Sequence, residues 1–211
     1  MLTHRQLGVD EVGRGALCGP VVSAAVVLDA QGRAALAHWG LQESKRLSPQ
    51  QRRAWVARIQ NIALAWHIAW ADPKEIDTYN ILQATLLSMR RAILAIPQPP
   101  DVCLVDGCHA IPGLPYPQRP VIGGDASEIA IAAASILAKV WRDDHLHQLS
   151  REYPVYDLTR NKGYGTPAHR LALRRYGPSS IHRLSFRPCQ VSQTQVPCGS
   201  GCASVVLTTH C

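Results

Sequence analysis

The chain has 211 residues, 46% apolar and 18% charged, with 22 Lys and Arg against 15 Asp and Glu and a formal net charge of +7. That length and balance support a full hydrophobic core and exclude intrinsic disorder as the organising state. With no basic-apolar-small leader pattern and no apolar run of about 18 residues, the expectation is a cytoplasmic protein without a membrane span, whose basic surface suits a polyanionic ligand.

The run Gly8-Val9-Asp10-Glu11-Val12-Gly13-Arg14-Gly15 follows a short apolar stretch and precedes Val21 to Leu28, a β-branched segment that reads as a buried strand. Two adjacent acids therefore fall at the edge of a sheet. Neighbouring side chains on a strand point to opposite faces, so a bend near the acids, permitted by Gly13 and Gly15, is expected if both are to reach one ion. Ser48-Pro49-Gln50-Gln51 combines an N-cap, a proline at the first helical position and a glutamine at the third, and starts a helix to about Asn61. Leu64 to Trp70 reads as a strand, and the apolar stripe of Asn80 to Ile96 as a helix stopped by Pro97 and Pro99.

Val102 to Val105 is a short buried strand ending at Asp106-Gly107, and Val121-Ile122 leads into Gly123-Gly124-Asp125. A long Ala- and Ile-rich helix from Ser127 to about Ser150 follows, which puts Asp125 at a helix entrance. The mixed order predicts an α/β fold on one mixed sheet flanked by helices, with a small C-terminal helical portion from about Val155 to Pro188. Residues 1–154 are expected to form the main domain, 155–188 a helical portion of the same unit, and 189–211 a flexible Cys-containing tail.

Asp10, Glu11, Asp106 and Asp125 thus gather at element ends, each within two residues of a glycine. Converging carboxylates repel unless cations hold them, and oxygen-only ligands favour magnesium or manganese. Two ions about 3.5–4 Å apart can bind the attacking and leaving oxygens of an in-line phosphoryl displacement. Asp143 and Asp144, inside the long helix, are expected to pair with Arg142 or Arg151. Glu43, Asp72, Glu75 and Asp77 read as structural acids, His169 and His182 as surface or capping residues, and Cys18, Cys103 and Cys108 as small core fillers. Cys189, Cys198, Cys202 and Cys211, with His210, lack the paired spacing of a zinc site.

With these residues in view the chain resembles the type 2 ribonucleases H, bacterial ribonuclease HII in particular, over about residues 7 to 188. The matching stretches are Gly8 to Gly15, Ser44-Lys45-Arg46-Leu47-Ser48, Glu75-Ile76-Asp77 with Asn80-Ile81-Leu82, Val105-Asp106-Gly107, Gly124-Asp125, Ala132 to Val140, Lys162-Gly163-Tyr164 and His182 to Phe186. Arg14 favours ribonuclease HII over ribonuclease HIII, which is similar but carries Thr there. The resemblance implies a ribonuclease H-like fold using two divalent ions; a monomer is expected. It implies cleavage of the RNA strand of RNA–DNA hybrids and incision 5′ of single ribonucleotides in duplex DNA, leaving 3′-hydroxyl and 5′-phosphate ends.

On that resemblance Asp10, Glu11, Asp106 and Asp125 are the catalytic, metal-binding acids, and Gly13, Arg14, Gly15, Lys45 and Tyr164 the substrate-binding set. Tyr164 matches a tyrosine that packs on the deoxyribose at an RNA–DNA junction. Lys162, Arg183, Arg187 and Lys139, with Ser135 four residues before it, are further phosphate candidates. The chain departs from the family pattern at Gly123 and Leu184, where Lys and Arg are usual, and at Glu43, where Asp is usual. Its tail gives no support for binding a sliding clamp. A general two-metal nuclease and a silent hybrid-binding module stay open, separable by cutting of all-DNA duplexes and by binding without cutting.

Overall fold

A computed structural model describes residues 4–190. In chain order the elements are β1 (Gln6–Val12), β2 (Val21–Leu28), α1 (Ala30–His38), α2 (Pro49–Ile62), β3 (Ala65–Ala71) and α3 (Pro73–Leu94). Then follow β4 (Val102–Asp106), β5 (Gln118–Val121), α4 (Gly124–Ser127), α5 (Ile129–Glu152), α6 (Leu158–Asn161) and α7 (Pro167–Tyr176). The strands form one mixed sheet in the order β3-β2-β1-β4-β5. β2 is antiparallel to both its neighbours, while β4 runs parallel to β1 and β5 parallel to β4.

The sheet has a core on each face, divided by the two-residue period of the strands. Val22, Ala24, Val26 and Leu28 of β2 pack with Leu36 of α1, Trp55 and Ile59 of α2, and Ile136 and Leu137 of α5. Ala25 and Val27 point the other way, into a core with Leu86, Met89 and Ile93 of α3. β2 is accordingly buried along its whole length, as its continuous apolar sequence predicts. α5 crosses β1 so closely that a Cβ at Gly8 would collide with the backbone of Ala130 and Ile131. Gly8 is therefore a packing requirement of the first motif, and it sets the helix carrying Ser135 and Lys139 against the strand carrying the acids.

α2 opens with the expected capping box, Ser48 and Gln51 bonding reciprocally. α3 starts earlier than its apolar stripe, because Asp72 and Glu75 make a second capping box around Pro73. Asn80 then interrupts the helix with φ of 68°, and its Oδ1 accepts from the amides of Leu82 and Gln83, recapping the second half. The long helix expected from Ser127 is split: α4 is a separate short turn, and extended Glu128 precedes α5.

α6 and α7 surround a third apolar cluster with Leu17, Cys18, Tyr156, Leu158, Leu173 and Cys189. Cys189, grouped with the tail in the sequence, is part of this packed body, whereas Cys198, Cys202, His210 and Cys211 lie outside the described residues. Cys18 and Cys103 are buried as expected, but Cys108 is exposed beyond the end of β4. Among the described residues no helix is long and apolar enough to cross a membrane.

Candidate active site

β1, β4 and β5 are neighbours pointing the same way, so their carboxyl ends come together, the usual position of a site in a sheet with parallel strands. Asp10 and Glu11 lie just past Val9↔Val105, the last paired residues between β1 and β4, and Asp106 ends β4. Asp125 is the second residue of α4, reached directly from β5. Carboxylate oxygens of Asp10, Glu11 and Asp106 all lie within 4.8 Å of one another. Asp125 lines the same cleft of about 320 Å³, together with Ser44, Lys45, Ser135, Lys139 and Tyr164.

The bend expected near the acids falls at Gly13, and the strand that carries both acids is itself regular. β1 keeps regular register with β2 through Asp10↔Ala24, Glu11↔Ser23 and Val12↔Val22. The chain turns only afterwards, at Gly13, where φ is +91°. Because both acids extend beyond the β4 pairing, they reach the region of Asp106 from an unbroken strand. The Glu11 amide donates to Asp10 Oδ1 at 2.7 Å and the Gly124 amide to Asp106 Oδ1 at 2.8 Å, fixing two of the three carboxylates from the backbone.

Burial, then the charges of Glu11 and Asp106, raise the Asp10 pKa well above the ordinary carboxylate range, against the Ser135 hydroxyl and the Glu11 amide. Burial also raises that of Glu11; Arg14 opposes the rise and Asp106 adds to it. Asp125 instead has a direct cation, Lys45 Nζ, 2.8 Å from its Oδ2. The donors are all oxygens at mutually repelling, partly desolvated acids, which fits hard divalent cations and no softer metal.

The candidate substrate groups surround this cleft unequally. Arg14 is half exposed, with Nη1 3.5 Å from Glu11 Oε1. Gly15 has open space where a Cβ would stand, whereas Gly13 packs on the Arg142 side chain, which a Cβ would strike. The Gly13–Gly15 loop is joined to the Tyr164 loop by an Ala16↔Tyr164 bridge and by the Leu17 amide donating to the Gly163 carbonyl at 2.8 Å. Tyr164 opens onto the cleft with the Arg142 guanidinium 5.7 Å from its ring centroid.

A family model for Ribonuclease HII matches residues 7–189. The chain belongs to the ribonuclease HII family. It is 56% identical over 185 residues to the ribonuclease HII of Acaryochloris marina, covering 88% of this chain and 93% of that one. The solved ribonuclease H2 of Pyrococcus horikoshii is 27% identical with a TM-score of 0.77, covering 88% of this chain and 95% of that one. Bst ribonuclease HIII, solved in complex with Mn2+, shares the fold at a TM-score of 0.70 and 18% identity, covering 89% of this chain and 68% of that one. As a ribonuclease HII family member the chain is an endoribonuclease.

For this ribonuclease HII family chain, several expected residues belong elsewhere. Arg183, expected to meet phosphate, is fully buried; it donates to the Gly19 carbonyl through Nε and Nη2 and to the Arg14 carbonyl through Nη1. Arg187 is exposed on the closing turn, and Lys162 lines a neighbouring pocket with Arg52 and Arg53. Asp143 pairs with Lys139 at 2.8 Å and Arg52 at 4.0 Å, and Asp144 with Arg53, because Arg142 turns inward instead. Arg142, fully buried, donates to the carbonyls of Pro20, Cys18 and Lys162 at 3.0–3.2 Å. The spacing of Ser135, Lys139 and Arg142 at i, i+4 and i+7 puts all three on one helical face, a signal that would have placed Arg142 beside the site. Asp77 anchors the turn that carries the Leu184 departure, accepting from the amides of Leu184 and Ser185 at 2.9 Å and from the Ser185 hydroxyl at 2.6 Å. His169 and His182, expected at the surface or as helix caps, are buried and face each other.

Proposed function

We propose that the chain hydrolyses the RNA strand of RNA–DNA hybrids and incises 5′ of single ribonucleotides in duplex DNA, leaving 3′-hydroxyl and 5′-phosphate ends. The observation that carries this reading is the convergence of Asp10, Glu11 and Asp106 within 4.8 Å, with Asp125 lining the same cleft. These four acids would hold two divalent ions, Mg2+ or Mn2+. When bound, such ions supply charge stabilisation to the phosphoryl oxygens and lower the pKa of an attacking water.

The remaining groups position the substrate. The Gly13–Gly15 loop presents backbone next to the acids, where amides and carbonyls can meet a 2′-hydroxyl that both donates and accepts. Arg14, beside Glu11, and Lys45, beside Asp125, supply cations to the phosphates. Tyr164 offers a ring face to the sugar beyond the junction, where a hydroxyl would clash. The test is cleavage of a labelled DNA duplex containing one ribonucleotide, with Mg2+ or Mn2+, beside an all-DNA duplex and the Asp10→Asn protein. One cut 5′ of the ribonucleotide, absent from both controls, is expected; cutting of the all-DNA duplex would replace this reading with a general nuclease, and binding without cutting with a silent module.

A further inference from the structure

Behind Tyr164 lies a buried group that the cleavage chemistry does not use. Ligand atoms of Cys18, His169 and His182 lie within 4.8 Å of one another, a set whose composition could suit a soft metal ion. Hydrogen bonding decides against that. The Ser179 backbone amide donates to His182 Nδ1 at 3.0 Å, and the Ser179 hydroxyl, which can donate as well as accept, lies 3.0 Å from the same nitrogen. A backbone amide cannot accept, so this nitrogen is bare and the ring proton of His182 sits on Nε2. His182 Nε2 stands 3.1 Å from His169 Nε2, which must therefore accept. His169 in turn carries its proton on Nδ1, 3.0 Å from the Tyr164 carbonyl oxygen, an atom that can only accept.

Backbone groups fix both ends, so the chain runs one way, from the Ser179 amide through His182 and His169 to the Tyr164 carbonyl. The two imidazoles hold opposite tautomers. A metal taking both Nε2 lone pairs would displace the proton between them while the Ser179 amide keeps the other nitrogen of His182 occupied. The fixed end is tightly held: the Tyr156 ring meets His182 edge-on at 4.5 Å, and its hydroxyl donates to the Gly177 carbonyl at 2.8 Å. At the other end the Tyr164 carbonyl also accepts from the Thr166 amide at 2.8 Å, so the first turn of α7 grips this one oxygen twice.

We propose that the His182–His169 relay positions Tyr164, anchoring the backbone of the residue whose ring opens onto the acid cleft, and thereby sets discrimination at RNA–DNA junctions. The inference rests on the reading of Tyr164 given above. His169 and His182 are positioning residues; neither lines the cleft.

Paired substitutions separate positioning from packing. In His169→Asn the amide nitrogen stands as many bonds from Cα as Nδ1 and keeps a donor for the Tyr164 carbonyl; in His169→Gln the amide takes the place of Nε2 and that donor is lost. The ratio of single-ribonucleotide incision to long-hybrid cleavage is expected to fall about tenfold in His169→Gln and to stay within about twofold of wild type in His169→Asn. Equal losses on both substrates in both variants would overturn the proposal. Tyr164→Ala is measured alongside. If it lowers the ratio while His169→Gln does not, the relay is refuted and the Tyr164 reading stands; if it leaves the ratio unchanged, both fall. Long-range 1H–15N spectra of the wild-type protein give a readout that does not depend on activity. One Nδ1–H ring and one Nε2–H ring are expected, assigned with His169→Asn and unmoved by equimolar zinc; matching tautomers, or resonances shifted by zinc, would overturn it.

Discussion

At the ends of β1 and β4, Asp10, Glu11 and Asp106 face one another within 4.8 Å, whereas Arg142 and Arg183, beneath the same Gly13–Gly15 loop, face backbone carbonyls. Both regions gather like charges in poorly solvated surroundings. Asp10 and Glu11 respond with raised pKa values, and Arg183 is pushed down to about 9 by burial and then by Arg142. What differs is the partner. The guanidiniums donate to carbonyls of residues 14, 18, 19, 20 and 162, tying the 14–20 loop, α5, the Lys162 turn and the Arg183 segment together. The acids turn their oxygens toward an open cleft. Like charge satisfied inside the protein marks architecture here; like charge aimed at a cleft marks chemistry.

Asp10→Asn is the sharpest attempt to break this contrast. Cleavage should fall by several orders of magnitude, because a charged ligand of the proposed ions is lost, while folding survives. With chelator present, removing one of three repelling acids should raise the thermal midpoint by about 2–4 °C, the shift typical of 1 kcal/mol in a chain of this size. A midpoint that falls, measured by calorimetry, would make Asp10 a structural residue. Arg142→Met should do the reverse. Three carbonyls, two of them in fully buried contacts, lose their donor, which should cost about 3 kcal/mol and lower the midpoint by roughly 6–12 °C. An unchanged midpoint would show that the carbonyls find other donors.

The legibility of the two regions differed for the same reason. Each acid stands within two residues of a glycine at the end of a readable element, and Val21 to Leu28, the Ser48 cap and the Val102 to Val105 strand fixed the sheet that gathers them. The basic seam had no local signature. Arg142 and Arg183 are bonded to carbonyls up to 169 residues away in sequence, and a carbonyl looks the same at every position, so nothing in the string says which arginine turns inward. The first half of α3 was missed although Asp72-Pro73-Lys74-Glu75 repeats the logic of Ser48-Pro49-Gln50-Gln51, because the apolar stripe began only at Asn80. That residue is a second cap within the helix, so the stripe's start was a physical boundary but not the helix start.

The pair of histidines extends the contrast to a group that architecture keeps neutral. Burial, and then the neighbouring His169, push the His182 pKa down to about 4 from an ordinary 6.5. Between these values the unfolded chain binds the proton and the folded one does not, so stability is fully present above pH 6.5 and drains away as pH falls toward 4. The loss attributable to His182 should reach on the order of 3 kcal/mol. Urea unfolding of wild type and His182→Gln across that window checks it: the variant should show a shallower decline. Parallel declines would assign the acid sensitivity elsewhere.

The smallest expected effect probes the rim of the acid cleft. Lys45 holds Asp125 at 2.8 Å with its own side chain 77% exposed, so as an ion pair it is worth little to folding. Its value under the proposed function is to meet a phosphate. Lys45→Ala should leave the thermal midpoint within about 2 °C of wild type. It should also weaken hybrid binding uniformly across sequences and reduce the slope of log affinity against log salt by about 0.7–0.9. Those two results together would separate a cation that serves the ligand from the guanidiniums that serve the fold. An unchanged salt slope would return Lys45 to the architectural side, as a clamp on Asp125 alone.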